Sequence, residues 1–250
     1  ALTTGSYNVA VGFEALSTED AHGNNVAVGN RALKTLNAGA AGLNVAVGDD
    51  AGLAVTTGTL NTLIGAASGD ALTVGNSNTA VGQNSLGNDT KGDLNTAIGI
   101  GALQSQNFTT STDSYNTAVG AFAGGNVTTG TSNTLIGGLA GNALTVGINN
   151  TLIGKDAGDS LTDADFNVAV GTDALQADTL GSKSIAIGHS ALEAQNFTTA
   201  TDTHNVAIGD NTGKAITTGY SNTLIGGLVG DALTDGVENV AVGYNSLSAD

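Results

Sequence analysis

One short pattern of polar and apolar positions recurs along the whole chain: a polar residue, a variable one, a small or branched apolar one, a β-branched apolar one, and Gly. It reads Asn-x-(Ala/Leu)-(Val/Ile)-Gly and starts at residues 8, 25, 44, 61, 78, 95, 116, 133, 150, 167, 184, 205, 222 and 239. Position 1 is Asn8, Asn25, Asn44, Asn61, Asn78, Asn95, Asn116, Asn133, Asn150, Asn167, Asn205, Asn222 and Asn239, with Ser184 the exception. Position 2 is Val, Ile or Thr, and position 4 is always Val or Ile. Position 3 is Ala in ten units and Leu in four (Leu63, Leu135, Leu152, Leu224). Position 5 is Gly throughout: Gly12, Gly29, Gly48, Gly65, Gly82, Gly99, Gly120, Gly137, Gly154, Gly171, Gly188, Gly209, Gly226 and Gly243. A weaker pair follows at positions 8 and 9, a small residue and then Leu or Gly, as in Ala15-Leu16, Ala51-Gly52 and Ala140-Gly141.

The alternating, β-branched unit predicts a short strand. A Gly in every unit, with Thr-Thr-Gly and Asn-Asn clusters between units, argues against helix. Successive starts lie 17 residues apart, except for one step of 19 and two of 21. Seventeen residues are too few for a propeller blade and lack the Leu spacing of a leucine-rich repeat. They fit one turn of a parallel β-solenoid, in which each strand pairs with its equivalent in the next coil. The predicted fold is therefore all-β, a parallel β-roll of about fourteen coils, as a single repetitive segment over 1–250. Partial coils at 1–7 and 239–250 predict a piece of a longer fibre, or end-to-end stacking. Residues 95–161 also match 184–250 at an offset of 89, as a recent duplication would leave them.

Each position acquires an expected role. Asn at position 1 stacks into a ladder of side-chain amides. Gly at position 5 permits a positive φ or a close backbone approach at a corner. Val or Ile at position 4 is expected to fill the inside of the coil, leaving Ala or Leu of position 3 on the opposite face. No strand unit contains Asp, Glu, Lys or Arg, so both faces are uncharged and mostly apolar. Strands apolar on both faces are usually covered on both. The face not covered within the coil then calls for another copy, and a homo-oligomer, most simply of three chains, is expected.

Composition narrows the function. The chain has no Cys, Pro, Met or Trp and only 4% aromatics, which suits a core of identical layers. Without Cys there is neither a disulfide framework nor a thiolate metal site. A net charge of −16 argues against nucleic acid and against anionic membrane surfaces. No run approaches the length of a membrane span, so no membrane insertion is expected of this segment.

Candidate chemistry is sparse. His22, His189 and His204 stand apart from one another in sequence, and no nucleophile is singled out, so no enzyme activity is expected. Asp49-Asp50 and the group Asp156, Asp159, Asp163 and Asp165 offer oxygen ligands, but lack a calcium-loop spacing and read as solvated turn acids. No metal or cofactor is expected. Gly99-Ile100-Gly101 is no dinucleotide fingerprint, because no helix follows it. The two coils lengthened by four residues each carry a Phe, in Gln106-Asn107-Phe108-Thr109-Thr110 and Gln195-Asn196-Phe197-Thr198-Thr199. Loops carried on a rigid scaffold are favoured places for binding, so Phe108, Thr109, Phe197 and Thr198 are the candidate recognition residues.

Ser184-Ile185-Ala186-Ile187-Gly188 and Asn24-Asn25-Val26-Ala27-Val28-Gly29 resemble the repeats of YadA-type trimeric autotransporter adhesin heads. The stretch Asn95 to Leu103, and Thr128-Thr129-Gly130 before Asn133, resemble the shafts of phage tail-fibre proteins more strongly. The resemblance covers essentially the whole chain, although the 17-residue period exceeds that usual in the adhesin heads. It implies a homotrimeric structural shaft of a fibre on a cell surface or virion, which presents adhesive regions. The alternative is that the solenoid is itself an adhesin head, binding host glycan or protein. An ice-binding array would need Thr on every coil, and Thr occupies position 2 in only seven of fourteen, where it is expected to be buried.

Overall fold

The computed structural model describes residues 5–19 and 22–248. The expected partial coil at 1–7 and the chain end at 249–250 lie partly or wholly outside these residues. The chain divides into two compact units, 1–129 and 130–250. Each is a parallel β-solenoid of seven turns, about fourteen in all, and the described residues contain no helix.

In the first unit the strands are Val9–Val11, Val26–Val28, Val45–Val47, Thr62–Ile64, Thr79–Val81, Thr96–Ile98 and Thr117–Val119. Each pairs in parallel with its equivalent one coil on, position for position. In the second unit they are Thr134–Ile136, Thr151–Ile153, Val168–Val170, Ile185–Ile187, Val206–Ile208, Thr223–Ile225 and Val240–Val242, paired likewise. Equal register in coils of 17, 19 and 21 residues means that the additional residues are absorbed away from the strand. Each 21-residue coil adds a second, two-residue ladder: Gly92–Asp93 with Thr112–Asp113 in the first unit, and Gly181–Ser182 with Thr201–Asp202 in the second.

Corners are made by left-handed residues. Every position-5 Gly has φ between +126° and +143°. A Cβ on Gly29 would lie 2.1 Å from the Gly48 carbonyl oxygen, so both conformation and space exclude a side chain there. Non-Gly residues also turn left-handed, Leu33 and Leu86 at position 9 among them. That conformation costs roughly 1–2 kcal/mol for an L-residue. The N–H groups it directs along the axis recover hydrogen bonds between coils, Leu33 to the Ala51 carbonyl at 3.0 Å and Leu86 to that of Ala102 at 2.9 Å.

The core corrects one expectation. Position 3 fills the inside of the coil, not position 4: Ala27, Ala46, Leu63, Ala80, Ala97 and Ala118 are fully buried, as are Leu135, Leu152, Ala169, Ala186, Ala207 and Leu224. They meet positions 8, 9 and 12 from the other walls, as with Ala32, Leu33 and Leu36 around Ala27. The lumen is narrow, and in this coil two small and two larger side chains fill it. The β-branched residues of positions 2 and 4 line the outside instead, half-buried to exposed, the seven Thr at position 2 included. The face that lacks cover within the chain is thus the Val/Ile/Thr face, and position 3 needs no second copy.

Candidate functional site

Three features carry the structural chemistry: an amide ladder, the lengthened coils and the outer face. The ladder follows from Asn at position 1. In the first unit the Oδ1 of each Asn from Asn8 to Asn95 accepts the backbone N–H of the next, at 3.0–3.3 Å. Asn25, Asn44, Asn78 and Asn95 add a bond from their Nδ2 to the same oxygen. Nδ2 also reaches the position-15 carbonyl of its own coil, as Asn61 does to Gly75 at 2.9 Å. The second unit repeats this from Asn133 to Ser184 and again from Asn205 to Asn239. Ser184 still donates its N–H to Asn167, but its shorter side chain turns to Thr203 and Gln195. A second ladder runs at position 13, where Thr56 donates its hydroxyl to the Thr73 carbonyl and Thr73 to that of Thr90, at 3.1 and 2.8 Å.

The lengthened coils do not present their aromatic rings. Phe108 and Phe197 are only 6% and 8% exposed, each plugging a corner of its coil. The surface of these loops is Thr109, Thr110 and Ser111 in one unit and Thr198, Thr199 and Ala200 in the other. Beneath each loop lies a fully buried carboxylate that the sequence reading passed over. Asp89 Oδ1 accepts the N–H groups of Gly92 at 3.0 Å and Phe108 at 3.3 Å, and its Oδ2 accepts Gln106 Nε2 at 2.6 Å. Asp178 repeats this with Gly181 at 3.2 Å, Phe197 at 2.9 Å and Gln195 at 2.5 Å. Gln106 and Gln195 pass the network on, accepting the Nδ2 groups of Asn116 and Asn205 at 2.9 and 2.8 Å. The signal available in sequence was the column at position 12, apolar in most coils and acidic at these.

The remaining candidates do not converge. His22 meets Glu19 at 3.2 Å, exposed His189 meets Asp210 at 3.1 Å, and His204 is exposed elsewhere. Asp49 accepts Asn30 Nδ2, Asp50 pairs with Arg31, Asp156 with Lys155, and Asp165 accepts the Ile148 N–H. Asp163 is exposed. Among the described residues no three His, Cys, Asp or Glu side chains are grouped to hold a metal ion. Burial raises the carboxyls of Asp70 and Asp159 above the usual range, and neighbouring Asp50 and Asp156 push the same way. Glu193 is held low, chiefly by the Ser190 hydroxyl and then by Lys214.

The outer face is uniform in each unit. Positions 2 and 4 make two columns in each unit, wholly Val, Ile and Thr, without a charge. Ile64, Ile98, Ile136 and Ile225 are 37–38% exposed. Leu60, Leu94, Tyr115 and Phe166, which immediately precede position 1, extend the apolar character on one side. Comparison with family models, curated proteins and solved structures returned no match.

Proposed function

We propose that this chain is the structural shaft of an extracellular or virion surface fibre, a non-catalytic homotrimer that presents adhesive regions and mediates attachment. The observation that carries the reading is the outer face, two unbroken columns of β-branched residues in each unit, with none of the 28 charged residues in the repeated five-residue strand units. β-Branched side chains are stiff and form a flat surface. An apolar surface of this regularity marks an interaction site rather than a solvated one. The occupant favoured is a second and third copy of the same chain, because a face that repeats coil by coil is complementary to itself in any register of equal coils, and its lack of charge suits no ionic partner. Light scattering tests this directly. A mass near three times 24.3 kDa is expected, and a mass of one chain overturns it.

A second reading, that the solenoid is itself an adhesin binding glycan or protein along its flank, is favoured by the exposed Thr-rich loops at 109–111 and 198–200. Both emerge from ordered ladders and so are fixed in direction. Binding to host surfaces by this segment alone, lost when both loops are replaced by short turns, is its expected signature.

A further inference from the structure

Position 12 of the coil is a core position. It is Leu36, Val55, Leu72, Val127, Leu144, Leu161, Ile216 and Leu233 in eight coils, and Gln106 and Gln195 in the two 21-residue coils. It is a carboxylate at Glu19, Asp89 and Asp178, all three fully buried. The coils that follow these three are the lengthened ones, of 19, 21 and 21 residues, and no other coil with a successor carries an acid there. In each case the carboxylate accepts the same group from the coil above, the N–H of position 14: Ala38 to Glu19 at 3.4 Å, Phe108 to Asp89 at 3.3 Å, Phe197 to Asp178 at 2.9 Å.

The physical reason is visible in the backbone. In the 17-residue coils at 44, 61 and 167 the position-14 N–H points to the next coil, Thr57 to the Thr73 carbonyl at 3.3 Å, Val74 to that of Thr90 at 3.4 Å and Leu180 to that of Phe197 at 3.0 Å, whereas Lys91 turns to Asp89 of its own coil. Where the chain must make room for further residues it leaves the stack at this point, and that N–H turns inward. A buried N–H without an acceptor is costly, and an apolar position 12 offers none. The carboxylate supplies one, and its second oxygen is occupied by Gln106 or Gln195 in the 21-residue coils. Gly92 and Gly181 complete the fit, since a Cβ on either would lie 2.1 Å from the carboxylate oxygen.

We propose that a carboxylate at position 12 is the element that directs where the solenoid accommodates a lengthened coil, and that Asp89 and Asp178 are positioning residues for the exposed loops at 109–111 and 198–200. That these loops contact a surface rests on the second reading above; their placement by the carboxylates does not.

The test uses the full chain and one substitution in two backgrounds. In the natural chain, Asp89→Leu should lower the melting temperature and speed amide exchange at Phe108 and Thr112 at least tenfold, while Phe197 in the other unit keeps its protection. In a chain whose residues 106–115 are replaced by the six residues 127–132 of a 17-residue coil, the same Asp89→Leu should raise the melting temperature, because the buried acid there has lost Gln106 and Phe108 and keeps only the N–H groups of its own coil. A change of the same sign in both backgrounds, or unaltered exchange at Phe108, overturns the proposal. Loss of surface binding from a variant whose loops keep their protection bears only on the adhesin reading.

Discussion

Leu63 and Gly69 share one space: a Cβ on Gly69 would lie 2.8 Å from Leu63 Cδ2. From the coil before, a Cβ on Gly52 would meet Leu63 Cδ1 at the same distance. The relation holds along the stack. Leu at position 3 occurs with Gly at position 9 of its own coil, in Leu63 and Gly69, Leu135 and Gly141, Leu152 and Gly158, and Leu224 and Gly230. In the other coils position 3 is Ala, and position 9 is Leu except in coils that precede a Leu coil. The lumen holds one large side chain at this level, supplied from either wall. Gly69→Leu should therefore destabilise by about 1–3 kcal/mol through overpacking. The left-handed backbone is not the obstacle, since Leu33 and Leu86 adopt it at the same position. In a Leu63→Ala background, itself costing roughly 2–5 kcal/mol for the cavity, the added Leu should restore stability. Denaturant unfolding of the two single variants and the double variant measures the coupling.

Loss of one rung of the amide ladder should be felt more than loss of one ordinary surface bond. Asn61 is fully buried; its oxygen accepts two bonds from Asn78, at 3.0 and 3.2 Å, and its Nδ2 reaches Gly75. Asn61→Ala strands an N–H, an amide group and a carbonyl together, for about 3 kcal/mol, a sum of partly relaxed penalties of 1–3 kcal/mol each. Asn61→Ser should recover little, because Ser184 relies on Thr203 and Gln195, which the 17-residue coil at 61 does not have. Thermal unfolding of the two variants would show whether their losses are alike.

The period, the strands and the all-β fold were legible because each coil meets the same steric demands and so repeats the same residues. Which strand face points inward was not legible from alternation, since positions 2, 3 and 4 are all uncharged and mostly apolar. The information lay in the pairing of sizes between positions 3 and 9, a relation between walls rather than along a strand. Phe108 and Phe197 are expected to be recognition residues because loops on a rigid scaffold are favoured places for binding; the inward turn of their N–H groups toward Asp89 and Asp178 carries the rings inside. Those acids were passed over because only the repeat register puts them in a column of Leu and Val.

Acidity should stabilise the neighbourhood of two other acids. Burial raises the carboxyls of Asp70 and Asp159 in the fold above their unfolded value of 3.8. The folded chain then holds these protons to higher pH than the unfolded chain, so their contribution falls as pH rises above 3.8 and is restored on acidification. One oxygen of Asp159 is buried without a hydrogen-bond partner, consistent with that cost. Asp70→Asn and Asp159→Asn should each be more stable than the natural chain at pH 7, with the difference closing as pH falls toward 3.8. Melting temperatures across that range decide it, and a gap that widens on acidification would contradict the assignment.

The outer face offers the sharpest separation between fold and assembly. Ile98 and Ile64 point away from the lumen and are 38% exposed in the single chain, so a polar replacement removes no core contact of the coil. Substitution of both by Asp introduces charge into a column of the first unit that contains none. If these columns pack against other copies, two carboxylates per chain must be desolvated near their equivalents, which burial and like-charge repulsion both oppose. The double variant should fall from three times 24.3 kDa to one chain, while its far-ultraviolet spectrum still reports β structure. Replacement of Ala97, fully buried on the other face, should do the reverse and disturb the fold first. A natural chain that is already a monomer would leave the Val and Ile columns bare in solution, and the fibre reading would lose the observation on which it stands.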